Sequence, residues 1–379
     1  MKIGQISVSH IDDASLAPLT GNPCDLVLLF AAIDLLRDPE SFAALRRAFP
    51  TSILAGCSTA GEITGKGMSD GTASITTLSF DTARVRSSTC RLERMDDSAV
   101  VGAQLGQALK APDLRAALVF GKGVDINGSA LIDGMVGAMG ADVPISGGLA
   151  GDGGAFQGTL TLTSEGVDAD QVVAVGLYGD RLKASHGSFG GWQPFGPPRK
   201  VTRADGNILY ELDGHSALAL YKDYLGEYAR NLPASGLLFP FEMLDAECRS
   251  VGLIRTILGV DEQAGALVLA GDIDLNGHLR LMHANNEGLV DGAEIAARRA
   301  KDEAGGATAD SLAILVSCVG RKLVMGDAVD EEVEAVSQVL GRHVPLTGFY
   351  SYGEIAPFST TTQCMLHNQT MTVTFLTEA

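Results

Sequence analysis

Basic residues are scarce. The chain has 28 Lys and Arg against 46 Asp and Glu, a formal net charge of −18 at pH 7. That excludes the basic patch on which phosphate-backbone binding relies, so nucleic acid and anionic membrane surfaces are not expected partners. Cysteine is sparse, six residues with no CxxC among them. This argues against a disulfide framework and a zinc ribbon, and for buried thiols. Tryptophan occurs once. No apolar run approaches the length of a membrane span, and the opening Met-Lys-Ile-Gly-Gln-Ile has no apolar signal core, so the expected location is the cytoplasm. Glycine is plentiful, 46 residues in a 379-residue chain that is 46% hydrophobic and 20% charged. That balance suits a large core with many sharp turns, built as two domains or one large duplicated unit.

The organising feature is a repeat. Gly56-Cys-Ser-Thr-Ala-Gly-Glu-Ile63 recurs as Gly348-Phe-Tyr-Ser-Tyr-Gly-Glu-Ile355, each after a Pro and a short apolar run. A looser third copy is Pro144-Ile-Ser-Gly-Gly-Leu-Ala-Gly-Asp152. Repeats at this scale set the fold. Around each copy the pattern reads strand, loop, helix, strand, glycine turn, antiparallel strands. In the first, Asp25–Phe30 is a strand, Asp38 and Pro39 start a helix that Pro50 ends, and Ser52–Ala55 leads into the motif. Thr72–Phe80 and Val85–Arg91 alternate as strands. In the second, Leu114–Phe120, helix Ser129–Met139 and Val143–Gly148 play these parts, with Phe156–Ser164 and Gln171–Tyr178 as a hairpin-like pair. In the third they fall to Leu312–Val316, a loop Cys318–Arg321, helix Asp330–Leu340, Val344–Thr347 and Met371–Leu376. The expected fold is α/β of mixed α+β character: internally duplicated mixed β-sheets covered by helices, sandwich-like. A boundary is expected near Gly187–Pro198, giving domains 1–190 and 191–379.

Few residues suggest chemistry. His186-Gly-Ser-Phe-Gly-Gly-Trp-Gln-Pro-Phe-Gly196 holds the single Trp. His186, Trp192 and Phe195 in a glycine-rich loop suit a planar apolar ligand or a metal; the bland alternative is a connector whose aromatics plug the seam between the halves. His367 enters the last strand and reads as a sheet residue or a second candidate ligand. Glu62 and Glu354 are either acid–base carboxylates or acceptors for turn amides. Cys57 and Cys318 lie at strand ends, where a reactive thiol or a buried one would fit. Asp272-Ile-Asp-Leu-Asn-Gly277 starts like a calcium loop, but its twelfth position is His283. No catalytic set emerges, so no enzyme activity is expected; an enzyme using Cys57 or the Glu62 and Glu354 carboxylates is the weakest reading.

With Gly56–Ile63, Gly191-Trp-Gln-Pro-Phe-Gly196, Leu209-Tyr-Glu-Leu-Asp213 and Thr347–Ile355 in view, the chain resembles the FIST sensory proteins over nearly its whole length. The resemblance implies a bacterial signal-input module that binds a small ligand, such as an amino acid. The His186 segment, Leu209–Asp213 and Leu366-His-Asn-Gln-Thr370 look most like the subgroup that binds haem b and senses nitric oxide. For that subgroup His186, then His367, would be the axial ligand, with Trp192, Phe195, Tyr352, Glu62 and Glu354 around the ligand. Signals would pass to a separate histidine kinase or cyclic-di-GMP enzyme; homodimerisation is left open. The rival reading is a small polar ligand held by Glu62, Glu354, Ser58 and Tyr352 without haem.

Overall fold

The computed structural model describes residues 1–306, 310–357 and 364–378. Its centre is three six-stranded mixed sheets, one for each copy of the motif. In every copy two parallel strands lie side by side: Leu26–Ala31 with Ile53–Ser58, Leu114–Gly121 with Ile145–Leu149, and Ser311–Cys318 with Leu346–Ser351. An antiparallel strand flanks each pair, namely Ala73–Ser79, Gln171–Tyr178 and Met371–Glu378. An outer strand follows, namely Lys2–Val8, Arg84–Arg91 and Leu182–Phe189. The parallel strands are buried almost throughout, as unbroken Leu-, Val- and Ala-rich runs covered on both faces should be. Helices make the crossovers. Pro39–Ala48 starts where Asp38 accepts the Glu40 N–H at 3.0 Å, and Gly128–Met139 where Asn127 accepts from Ala130 at 3.0 Å.

Each sheet is completed by a hairpin from another copy. Glu62–Thr64 and Gly67–Ser69, from the first, extend the third sheet beside Leu346–Ser351. Gly353–Pro357 and Cys364–His367, from the third, extend the second beside Ile145–Leu149. Thr161–Leu162 and Val167–Asp168, from the second, extend the first beside Ile53–Ser58. The exchange is cyclic, so no copy closes its own sheet. This corrects the expected hairpin of Phe156–Ser164 with Gln171–Tyr178: the latter strand pairs with Arg84–Arg91 and Leu114–Gly121 instead.

The glycine that opens each motif has one cause. A Cβ on Gly56, Gly147 or Gly348 would lie 1.8, 1.9 or 1.8 Å from the carbonyl oxygen of Leu29, Val119 or Leu315 on the neighbouring parallel strand. Only hydrogen fits there. The three sheets then share a core in which Phe30, Phe120 and Phe349 meet, with ring centroids 4.6 to 6.2 Å apart. Phe30 stands opposite Cys57 and Phe120 opposite Gly148, but in the third sheet the ring sits on the second strand, Phe349 opposite Val316. Gly148 leaves the space this requires, since a Cβ there would come 2.8 Å from Val316 and 3.2 Å from Phe349.

The third copy is interrupted. Between its outer strand Leu182–Phe189 and its helix Asn286–Ala304, residues 193–283 form a separate nine-stranded sheet with its own core around Tyr221, Phe241 and Leu267. The expected boundary near Gly187–Pro198 thus falls where this insertion leaves the third copy. Strand pairing runs across it, because Leu182–Phe189 lies beside Met371–Glu378. Cys318–Arg321, expected as a loop, instead caps and begins helix Val319–Met325. Among the described residues no helix is long and apolar enough to cross a membrane.

Candidate functional site

The carboxyl ends of the three parallel pairs meet, and their bends are tied to one another. Ser58 Oγ donates to Gly151 O at 2.7 Å, Gly151 N–H to Ser58 O at 2.8 Å and Gly153 N–H to Thr59 O at 3.0 Å. Ala60 N–H donates to Tyr350 O, and Tyr350 N–H to Gly61 O, both at 2.8 Å. Tyr352 N–H closes the ring on Leu149 O at 3.1 Å. Ligands of open α/β sheets gather outside the carboxyl ends of parallel strands, so this junction is where a site is sought.

Glu62 and Glu354 occupy equivalent places and make equivalent bonds. Glu62 accepts from Thr59 Oγ1 at 2.5 Å, Thr72 N–H at 3.0 Å and Thr72 Oγ1 at 2.7 Å. Glu354 accepts from Ser351 Oγ at 2.8 Å, Thr370 N–H at 3.0 Å and Thr370 Oγ1 at 2.9 Å. Each carboxylate bolts its bend to the start of the following strand. The two share no partner. Burial raises both pKa values, that of Glu354 to about 7, while the threonine and serine donors hold them down. The repeated Gly-Glu-Ile is therefore a structural lock in both copies.

The looser second copy departs from this plan, and several of its residues between 152 and 157 are exposed. Asp152 accepts the N–H groups of Phe156, Gln157 and Gly158 at 2.8 to 3.0 Å, which curls Gly151–Gly158 into a tight loop. Tyr352, from the third copy, donates its hydroxyl to Asp152 and accepts the Gly154 N–H at 3.0 Å. Burial first, then Asp152, raises the Tyr352 pKa. Phe156 lies on the Tyr352 ring, centroids 4.0 Å apart and planes at 13°. It is 37% exposed and adopts φ +54°, a left-handed conformation unusual for an aromatic residue. On the other flank Lys322 reaches Ala60 O at 2.8 Å and Asp70 at 2.5 Å, over the Tyr350 ring.

Below lies a buried ion pair. Arg321 is fully enclosed and donates Nε and Nη2 to Glu332 at 3.0 and 2.6 Å, Nη2 also to Leu289 O at 2.8 Å, and Nη1 to Gly190 O. Glu332 further accepts from Tyr350 at 2.6 Å and Ser317 at 2.9 Å. The pair joins the third copy's bend to the chain entering the insertion. Sequence reasoning missed both members, and Phe156 as well.

The histidine segment does not assemble as one loop. His186 lies inside strand Leu182–Phe189, opposite Thr374, and is 3% exposed. Its backbone N–H donates to Glu303 at 2.9 Å, its Nε2 has no partner among the described residues, and burial lowers its pKa to about 4. Trp192 is buried with Ile254 and Met282, its Nε1 donating to Gln369 O at 2.8 Å, so it fills the seam between the insertion and the third copy. Phe195 is on the surface against Tyr224 and His283. His367 ends strand Cys364–His367, buried, with Nε2 bonded to Ala356 O at 2.9 Å. His186, Trp192 and Phe195 thus occupy three environments and do not line a common slot for a macrocycle. Among the described residues no group of three His, Cys, Asp or Glu is placed to hold a metal ion. Cys57 is buried and its thiol is pushed well up by desolvation; Cys318 is likewise.

The FIST N domain model matches residues 25–215, and the FIST C domain model matches residues 217–357. The chain belongs to the FIST family. In this FIST protein the first model spans the first two copies and reaches into the insertion. The FIST N and FIST C pair suggests a sensory, signal-transducing role. An uncharacterized protein of Mycobacterium tuberculosis is 29% identical over 195 residues, 49% of this chain and 50% of that one. An uncharacterized protein of Methanocaldococcus jannaschii is 28% identical over 223 residues, 54% of this chain and 41% of that one. The alignments thus span about half the length of these relatives or less. A cyanuric acid hydrolase from A. caulinodans superposes over 99% of both chains with a TM-score of 0.39 and 9% identity, too distant to carry any functional argument.

Proposed function

We propose that this FIST protein senses a small molecule, such as an amino acid with a flat side chain, by binding it without turnover at the junction of the three bends. The observation that carries the reading is the Phe156–Tyr352 stack. Phe156 covers a Tyr ring whose hydroxyl is fixed by Asp152 and loop amides. Phe156 is the exposed, outer member of the stack, so it is the ring a flat ligand can displace. The ligand's flat part then replaces Phe156 on the ring, and its polar part competes for the loop amides that Asp152 and the Tyr352 hydroxyl hold in the free protein. Because the bends are bonded to one another, a change in Gly151–Gly158 reaches all three sheets.

Binding rather than catalysis is supported by the chemistry of the alternatives. Cys57 and Cys318 are buried thiols held protonated, and the Glu62 and Glu354 oxygens are engaged by three donors each. The relay to a separate histidine kinase or cyclic-di-GMP enzyme is the output we assign, on the family's sensory role. A thermal-shift screen of the twenty amino acids tests the site. Aromatic or heterocyclic members should stabilise the protein. Tyr352→Leu should abolish the shift, and Phe156→Gly, which removes the competing ring, should keep or enlarge it. A shift of unchanged size in Tyr352→Leu refutes the assignment.

A further inference from the structure

We propose that the guanidinium of Arg255, in the seam between residues 193–283 and the third copy, is the receptor for one carboxylate group of a small organic anion. Arg255 ends strand Ser250–Arg255 and is 4% exposed. Its hydrogen bonds go to three neutral carbonyls, and all are long: Nε to Asp272 O at 3.4 Å, Nη1 to Ile254 O at 3.3 Å and to Leu366 O at 3.2 Å. Charge-assisted bonds to carboxylates run at about 2.7–2.9 Å. Nη2 donates to no acceptor among the described residues, and none of their carboxylates comes within ion-pair distance. Asp272 acts on the cation only from farther off.

Arg321 supplies the internal comparison. It is as deeply buried, and the fold gives it a two-pronged carboxylate, Glu332, and two carbonyls. A buried cation without a counter-ion is among the costliest arrangements a protein can hold. Arg255 does not escape it by losing its proton: desolvation lowers the pKa only to about 10.

The chemistry selects a carboxylate. Its two oxygens match a guanidinium fork, and its single charge cancels the single unpaired cation. The field of Asp272 and a net charge of −18 disfavour a dianion such as phosphate. The proposal stands apart from the Tyr352 junction.

Thermal-shift titrations with sodium acetate, against sodium chloride and inorganic phosphate at equal ionic strength, test it. Wild type should show a saturable rise in Tm with acetate that chloride and phosphate do not reproduce. Arg255→Met should lose that response, while without acetate its Tm should equal or exceed that of wild type. Arg255→Lys, which keeps the charge but not the fork, should raise the acetate concentration needed for half-saturation and carries the test should the Met variant not fold. Tyr352→Leu should leave the acetate response intact, so this site and the junction fail separately. No acetate-specific rise in wild type, or an equal rise in the Arg255 variants, overturns the proposal. So does an Arg255→Met variant that folds but melts well below wild type without acetate, since Arg255 would then be a strap for its three carbonyls.

Discussion

Replacing Glu354 by Gln should change how stability depends on pH more than it changes stability itself. Glu354 is fully buried, and desolvation lifts its pKa from 4.5 to about 7 against the pull of Thr370 and Ser351. At 1.36 kcal/mol per pKa unit, that displacement is worth about 3 kcal/mol. The folded state keeps a proton between pH 4.5 and about 7 that the unfolded chain has already released. The associated stability is complete below pH 4.5 and is lost as pH rises through 7. Gln keeps the shape and cannot titrate. His186 and His367, whose pKa values burial lowers to about 4, shift stability in the opposite direction at acid pH, but equally in both proteins. The wild-type-minus-variant difference therefore isolates Glu354. Urea unfolding of both proteins at pH 5, 6, 7 and 8 should show wild type losing most of that 3 kcal/mol relative to Glu354→Gln. Parallel profiles would mean that Glu354 is ionised throughout, and the account of it as a desolvated lock would be wrong.

Gly348→Ala places a Cβ 1.8 Å from Leu315 O and should cost more than about 3 kcal/mol or prevent folding, read as soluble yield and urea midpoint. Gly137→Ala, in helix Gly128–Met139 with open space around the added methyl, should instead gain about 0.5–1 kcal/mol. Glu332→Gln leaves Arg321 charged, buried and unpaired, for a loss of about 3–5 kcal/mol; a double variant with Arg321→Met should recover much of it. Tyr350→Phe, which removes one donor to Glu332, should cost about 1–3 kcal/mol, and an unchanged melting temperature would argue against the network.

Much of the frame was legible because backbone geometry forced the residue choice. The pinch between parallel strands admits only glycine, so Gly56, Gly147 and Gly348 mark the copies in the sequence itself. Asp38 and Pro39 announced their helix for an equally local reason. The cyclic exchange of hairpins was not legible. Glu62–Thr64 and Gly353–Pro357 are short and wholly buried, so neither length nor alternation tells which sheet they join. Trp192 stood out by rarity, yet the seam it fills is a matter of tertiary packing. Arg321 was hidden because its partner Glu332 follows eleven residues later, beyond the Gly326 break between two helices. Phe156 gave only a weak signal, an aromatic in a polar glycine-rich stretch. Its significance came from Tyr352, nearly two hundred residues away.

Hydrogen–deuterium exchange with and without the best-stabilising amino acid puts the central claim to its most direct test. Amides of Gly151–Gly158 and of the bend at Tyr352 should slow on binding, with smaller slowing at Ser58–Gly61 through the shared bonds. Protection confined to residues 193–283, with Gly151–Gly158 unchanged, would contradict the account.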